Sequence, residues 1–519
     1  MAKSTTSAAG AAGGEFSPMS GNALWIAGGL LALSNFVVVL DTTITNVSVP
    51  NIAGGLAVSP NQGTWVITSY AVAEAIMVPL SSWLSQRFGT VKLFVASMLG
   101  FGICSALCGF APSLSFLVLF RVMQGLCGGP IMPLTQTLLR RVFPPAQQTQ
   151  ALGLWSMTTV AAPIAGPLLG GALVDGVGWP WIFFINVPVA IIVAVFAWRM
   201  LAKHETDTQR IPVDFVGLGL LISWVGAMQV MLDKGKDLDW FDSPFIITLA
   251  LIAVIGFVAF LIWELTDEHP VVDLRVFRHR GFTSAVIVMC LTFGSFFSTV
   301  VLLPLWLQTN LGYTATWAGR ATAFQGVLAI VMSPIVARMT SKYDVRLLVS
   351  FGVTLLAVTT MWRSTFTTDS TFLQIVWPQL LQGLALPFFF IPLMSVALGA
   401  VAPRETTSAA SLLTFTRSTA AAFATSITTT NWEDLASARR GDIAGALNGS
   451  QAFLDTLTRA GASAGQALRQ LEALVQTQAV MLATDRVFFV TAFVFLLAAG
   501  AIWIAPQSKR IANAASAGH

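Results

Sequence analysis

The chain has 519 residues, of which 55% are hydrophobic and 10% charged, with a net charge of +4. A soluble domain carries roughly 25% charged residues, so this composition excludes an ordinary soluble enzyme or a nucleic-acid-binding protein. Apolar runs of about 20 residues recur along the whole length, long enough for helices that cross a bilayer. The expected fold class is an all-α polytopic membrane protein.

Residues 1–22 open with an Ala/Gly/Ser-rich stretch that reads as a disordered cytoplasmic tail. It has no basic region leading into a short apolar core, so no removable signal peptide is expected. The first apolar segment, 23–50, contains VVVLDTTITNVSVP, and Asp41 is the sole charged residue between Glu15 and Glu74. A carboxylate at membrane depth costs at least roughly 2.5–3.5 kcal/mol on insertion scales. Desolvation favours the neutral acid, so such a group can take up and release a proton as its access to water changes. The alternative for Asp41 is a place near a water-filled mouth or at a helix break.

The second segment, 64–84, carries Glu74 in SYAVAEAIMVPL, where the same argument applies. Its alternative role is a structural partner for a polar group on a neighbouring helix. After a third segment at 92–111, the fourth, 114–138, carries Arg121 in FLVLFRVMQGL. An arginine there must face a cavity, find an acceptor or snorkel to the surface. Facing inward, it competes with a proton for a nearby acid, which gives Asp41, Glu74 and Arg121 a common logic. Gln124, Asn35, Thr68 and Trp155 are the candidates to line or gate a substrate cavity. In the fifth segment, 149–173, APIAGPLLGG places Ala162, Gly166 and Gly170 four residues apart. Small residues at that spacing let membrane helices approach closely, and Pro163 and Pro167 bend the segment.

Nine further segments follow: 181–201, 213–232, 244–264, 282–308, 316–338, 346–363, 372–401, 406–430 and 484–505, making fourteen in all. Loops rich in Lys and Arg alternate with loops nearly free of them. Arg87/Lys92, Arg140/Arg141, Arg199/Lys203/Arg210, Arg275/Arg278/Arg280, Arg338/Lys342/Arg346 and Lys509/Arg510 share one side. The positive-inside rule makes that side, and both termini, cytoplasmic. Lys234 and Lys236 fall outside, surrounded by Asp233, Asp237 and Asp239. One outside loop, 431–483, is long, and its Ala/Leu/Gln pattern suggests short amphipathic helices forming either a lid or a docking surface.

QGLCGGPIMPL from Gln124 and QGLALPFFFIPL from Gln382 form an internal repeat, as do RFGTVKLFV from Arg87 and KYDVRLLV from Lys342. Parallel repeats of six helices characterise one transporter class. The expected organisation is a bundle at 23–201, an inserted pair at 202–264, a second bundle at 265–505 and a cytoplasmic tail at 506–519. Cys104, Cys108, Cys127 and Cys290 lie in apolar runs and read as small buried hydrophobes. There is no P-loop, no H-E-x-x-H and no Cys/His cluster at zinc spacing, so no catalytic residues, metal or cofactor are expected. Energy then comes from an ion gradient.

LDTTITNVSVP at 40–50, RVMQGLCGGP at 121–130 and APIAGPLLGG at 162–171 resemble the signature segments of the major facilitator superfamily. The last resembles that family's antiporter motif. With fourteen spans, the chain is similar to the drug:proton antiporter branch, and QGTWVITSYAVAEAIMVPL, WIFFINVPVA and MLDKGKDLDWF strengthen the likeness. The resemblance implies a proton-driven multidrug exporter of a Gram-negative inner membrane, with a periplasmic membrane-fusion adaptor and an outer-membrane channel as partners. It assigns Asp41 to proton coupling, Arg121 to the fourth-helix motif, and Gly166, Pro167, Gly170 and Gly171 to the antiporter motif. Gln86 stands before Arg87 where the family has an aspartate, which removes the acid of a charge-relay latch. The expected cargo is hydrophobic drugs and toxic organic compounds. Uptake of one organic nutrient, or a membrane-embedded sensor, are the alternatives.

Overall fold

The computed structural model describes residues 19, 21–209, 212–268, 270–446, 450–460 and 463–505. Most of the expected N-terminal tail, Arg210, His269 and the 506–519 tail with Lys509, Arg510 and His519 lie outside the described residues, as do 447–449 and 461–462 of the outer loop.

The chain runs α1 (Asn22–Gly55), α2 (Pro60–Gly63), α3 (Trp65–Phe88), α4 (Thr90–Gly109), α5 (Leu114–Gly128), α6 (Ile131–Val142), α7 (Gln148–Gly176), α8 (Trp181–Phe184) and α9 (Asn186–Leu201). An inserted pair follows, α10 (Phe215–Lys234) and α11 (Pro244–Thr266). The remainder is α12 (Arg280–Thr309), α13 (Ala315–Thr340), α14 (Val345–Arg363), α15 (Phe372–Gly399), α16 (Thr406–Ala446), α17 (Ser450–Arg459) and α18 (Ala464–Ala501). Among the described residues, twelve helices are long and apolar enough to cross a membrane, and α7 makes thirteen when its two arms, bent by 44°, count as one. The bend follows from Pro163 and Pro167, which remove helix hydrogen bonds. The remaining expected segment, 406–430, lies in the more polar α16, which packs on α12, α18, α3 and α6.

Two expected segments are broken. The fourth is interrupted between α5 and α6 at Gly129–Pro130, within a single span, because Pro130 and Pro133 leave the Leu126 and Gly129 carbonyls without their usual donors. The sixth divides into α8 and α9, where Pro188 does the same to Phe184.

In the first half, α1 packs on α7 and α9, α3 on α5, and α4 on α5 and α9. In the second, α12 packs on α16 and α18, α13 on α15, and α14 on α15 and α18. The halves meet along α7–α13, α3–α16, α6–α16 and α7–α15. Large apolar side chains cover the outside of the bundle; Val254, Ile255 and Leu497 are 63–70% exposed. A soluble monomer rarely shows such a continuous apolar surface.

On the arginine-rich side a cleft of about 760 Å³ opens between the halves, lined by Gln86, Arg140, Arg141, Asp207, Arg275, Arg278, Arg404 and Glu405 among others. Above it the halves are joined by paired hydroxyls, Ser81 with Ser411 at 2.7 Å and Ser82 with Ser408 at 2.7 Å. The Gln136 amide adds a bond to Thr414 at 3.3 Å.

The long outer loop differs from expectation. Instead of an irregular connection with short helices, α16 continues unbroken past residue 430 to Ala446, and α18 begins at Ala464, well before residue 484. Apolarity sets where a helix leaves the bilayer, but helix formers and caps set where it ends. Residues 431–440 contain neither Gly nor Pro, and Ser463 with Gln466 forms a capping box that starts α18. The two extensions and α17 make a helical hairpin, across which Arg440 meets Glu472 at 2.5 Å.

Candidate functional site

Asp41 lies midway along α1 and is 1% exposed. Arg121, two turns into α5, donates from Nη1 to Asp41 Oδ2 at 2.6 Å. Gln124, one turn later, donates to Asp41 Oδ1 at 3.1 Å, and Asn186 at the start of α9 donates to the same oxygen at 2.7 Å. The carboxylate thus accepts from three side chains on two other helices, with the strongest bond charge-assisted. Arg121 is fixed in turn. Its Nε donates to the Val66 carbonyl at 3.0 Å, its Nη1 to Gln124 Oε1 at 2.9 Å, and its guanidinium lies 4.2 Å from the centre of the Tyr70 ring. Asn186 is oriented by Ser105 at 3.2 Å. Close packing of α5 on α3 makes this possible, since a Cβ at Gly125 would stand 2.6 Å from the Tyr70 carbonyl oxygen.

Arg121 therefore faces inward and finds an acid, rather than snorkelling. Glu74, the third expected member, does not join the pair. Its half-buried side chain lines a separate pocket of about 150 Å³ between α3, α10 and α16, with Gln229, Phe415, Ser418 and Thr419. Among the described residues it makes no ion pair.

The cavity and gate candidates separate. Gln124 belongs to the Asp41 network. Asn35 ties α1 to α7 through Thr158 and Thr159, each at 2.9 Å. Trp155 sits at the seam between the halves, stacked on Phe390 at 6.2 Å and donating to Thr135 at 2.9 Å. Thr68 lies apart from these. It faces the inserted pair and donates to Asp233 of α10. Next to it, Lys234 donates to Thr64 at 2.5 Å and pairs with Asp237, one of the acids around it, at 3.4 Å, while Lys236 pairs with Glu433 of α16 at 2.6 Å.

The antiporter-like motif has two working faces. A Cβ at Gly166 would lie 2.4 Å from Thr43 Oγ1, and one at Gly170 would lie 3.0 Å from Val47, so both glycines let α7 lie against α1. Pro167 faces the other half, where a Cβ on Gly319 of α13 would be 3.5 Å away. Gly171 points into open space.

Just after Gln86 and Arg87, Glu205 reaches the start of α4 from the linker after α9. It accepts from the Val91 and Lys92 amides at 2.9 and 2.8 Å and caps α4. A carboxylate at a helix N-terminus is favourable on dipole grounds.

Several site residues lie beyond the sequence candidates. Asn186 and Ser105 complete the Asp41 network. Arg363 on α14, 1% exposed, donates to Gln382, the repeat counterpart of Gln124. Arg417 on α16 is 2% exposed and faces Trp155, Phe293 and Phe390. The intramembrane-charge argument that selects Arg121 applies equally to Arg417. The two asparagine- and serine-type partners carry no comparable signal, since polar residues are frequent in these helices.

The chain is 43% identical over 493 residues to the multidrug export protein EmrB of Escherichia coli (strain K12), covering 94% of this chain and 96% of that one. It is 42% identical over 496 residues to the fatty acid resistance protein FarB of Neisseria gonorrhoeae, covering 95% and 98%. The human organic anion transporter MFSD10 has the same fold, with a TM-score of 0.55 at 14% identity, covering 91% of this chain and 98% of that one. The expected resemblance holds, and this is a multi-pass membrane transporter of the multidrug-exporter type. Residues 31–425 match the family description itself, and the chain belongs to the Major Facilitator Superfamily.

Proposed function

We propose that the protein exports hydrophobic drugs and toxic organic compounds in exchange for protons, by alternating access between its two halves. The Asp41–Arg121 pair carries this reading. A proton and Arg121 compete for the same carboxylate oxygen, so protonation of Asp41 releases the arginine from α1. The helices joined at that point, α1, α5 and α9, can then rearrange. Exchange follows if the acid meets water on alternate sides. Glu74, in its own pocket, is a second acid that a proton or a cationic cargo can reach.

The names of the two relatives, a multidrug export protein and a fatty acid resistance protein, support an apolar organic cargo. We place the protein in a bacterial inner membrane with both termini cytoplasmic. In this reading it works with a periplasmic adaptor and an outer-membrane channel, and the helical hairpin is the docking element. The excess of arginine around the cleft supports the orientation.

Efflux from proteoliposomes under an imposed pH gradient tests the coupling. The wild-type protein should move a hydrophobic fluorescent drug only while the gradient stands, and an uncoupler should stop it. Asp41→Asn should lose gradient-driven efflux. Efflux indifferent to the gradient, or wild-type rates in Asp41→Asn, would overturn the proposal.

A further inference from the structure

Among the described residues three arginines are at most 2% exposed: Arg121, Arg363 and Arg417. Arg121 has a carboxylate and Arg363 has the Gln382 carbonyl oxygen. Arg417 has no hydrogen-bonded oxygen acceptor among the described residues, and Glu74, in the pocket beside Ser418, acts on it only through space. Its Nη2 approaches the Met132 sulfur at 3.7 Å, and its Nε has no partner. It lies eleven residues into α16, roughly 16 Å from the helix start at 1.5 Å per residue, which is about half the hydrocarbon thickness.

Three aromatic rings surround the cation. The guanidinium carbon is 4.7 Å from the Phe293 centroid, 5.5 Å from Phe390 and 5.8 Å from Trp155. Phe293 and Phe390 belong to the second half and Trp155 to the first, so the group stands at the seam that alternating access must open. Cation–π contacts hold a guanidinium in place without neutralising it or using its in-plane donors. A buried charge without a hydrogen-bonded counter-ion is costly, Glu74 offering only a longer-range attraction, and intramembrane charges held this loosely mark substrate pathways.

We propose that Arg417 binds the anionic end of the cargo, and that Trp155, Phe293 and Phe390 hold its apolar body. The ligand class is a hydrophobic organic carboxylate. Its two oxygens match the guanidinium fork, and aromatic walls suit an apolar remainder. A second feature agrees. The cleft on the arginine-rich side is lined by five arginines, Arg140, Arg141, Arg275, Arg278 and Arg404, against three acids. A cleft with that balance concentrates anions at its mouth. This inference deepens the exporter reading and rests on it for the cargo to be transported.

The test uses the full chain in phosphatidylcholine nanodiscs, with 2-naphthoate and its neutral isostere 2-naphthamide as probes, followed by calorimetry. The wild-type protein should bind the carboxylate at least about tenfold more tightly, as a charge-assisted bidentate pair allows. Arg417→Gln should bring the two affinities to within about twofold, because the fork is gone. Arg417→Lys should lower the preference at least about threefold, since a point charge replaces the planar donor set. Equal binding of both probes by the wild-type protein overturns the proposal, as does an undiminished preference in Arg417→Gln. Should Arg417→Gln fail to fold, an undiminished preference in Arg417→Lys overturns it. Proteoliposome efflux separates the two readings. Transport without preference for the anion defeats this inference and spares the exporter. Preference in binding without efflux of any probe does the reverse.

Discussion

At the scale of single residues, the Asp41–Arg121 pair combines function with a stability debt. Both side chains are 1% exposed, and removing one partner of a buried pair typically costs about 3–5 kcal/mol. Arg121→Ala should therefore lower thermal stability as well as transport. Asp41→Asn with Arg121→Gln should recover most of the stability lost by either change alone, because no charge is then stranded, yet should show no gradient-driven efflux. Melting curves and proteoliposome assays on the same preparations check both halves of that statement. A loop acid gives a pH-dependent counterpart. Burial pushes the Glu405 carboxyl up, but the Ala402 amide, the His279 ring and the Arg278 guanidinium outweigh it and hold the group below its ordinary 4.5. A lowered carboxyl contributes stability above its unfolded value and loses it as pH falls through the folded one. Glu405→Gln should thus melt below the wild-type protein at neutral pH and converge with it in acid. Melting curves that stay apart below pH 4 would count against this account. The charges of this site were legible in the sequence because an ion in an apolar run demands an explanation. Their partners were not. Nothing in the sequence around Thr68 shows that its hydroxyl meets Asp233, 165 residues away.

At the scale of helices, the antiporter-like segment works through contact rather than chemistry. Gly166 and Gly171 are both glycines of one motif, yet only the first is pressed against a neighbour. Alanine is intrinsically better than glycine in a helix by roughly 0.5–1 kcal/mol. Gly171→Ala should accordingly be tolerated or slightly stabilising. Gly166→Ala should force α7 away from α1 and cut transport severely. Thr43→Ala should relieve this only partly, because the Thr43 Cβ itself would lie 2.7 Å from the new methyl. Drug-resistance assays on the three variants, with expression matched, decide the matter. The spacing of small residues was readable as a close-packing face, but not its partner helix. The fourth and sixth segments show the same limit in reverse. Their prolines were visible, while the breaks they cause depend on which carbonyl goes unpaired.

At the scale of the molecule, the two halves were legible through their repeated segments, and the structure gives the repeat a physical meaning. Gln124 and Gln382 each accept from a buried arginine, Arg121 in one half and Arg363 in the other. Only the first half adds an acid to this arrangement among the described residues. The inserted pair straps the halves together at their outer ends, with Thr68 of α3 bound to Asp233, Ser426 of α16 donating to the Leu232 carbonyl at 2.8 Å, and Trp240 donating to Thr430 at 3.0 Å. Sequence could mark these two helices as extra but not as a strap, since their partners are scattered through both halves. The outer hairpin gives a prediction at this scale. Arg440 and Glu472 already meet, so residues 441–471 can be replaced by a short Gly/Ser link. Transport in proteoliposomes should persist. Whole-cell resistance and capture of the periplasmic adaptor should both fall, and unchanged values for both in a stably inserted variant would remove the docking role.

One long element joins these scales. α16 starts at the cleft, carries Arg417 at the seam and continues without a break to Ala446. Between Arg417 and Ala446 it spans roughly 44 Å at 1.5 Å per residue. A boom of that length turns small angles into large strokes: a tilt of about 10° at the seam sweeps the tip through roughly 8 Å. Cargo that tilted α16 at Arg417 would thereby be announced at the hairpin by leverage alone. A partner held by the hairpin, as proposed above, would be rocked once per turnover, and the pump would then pace the opening of whatever it is fastened to.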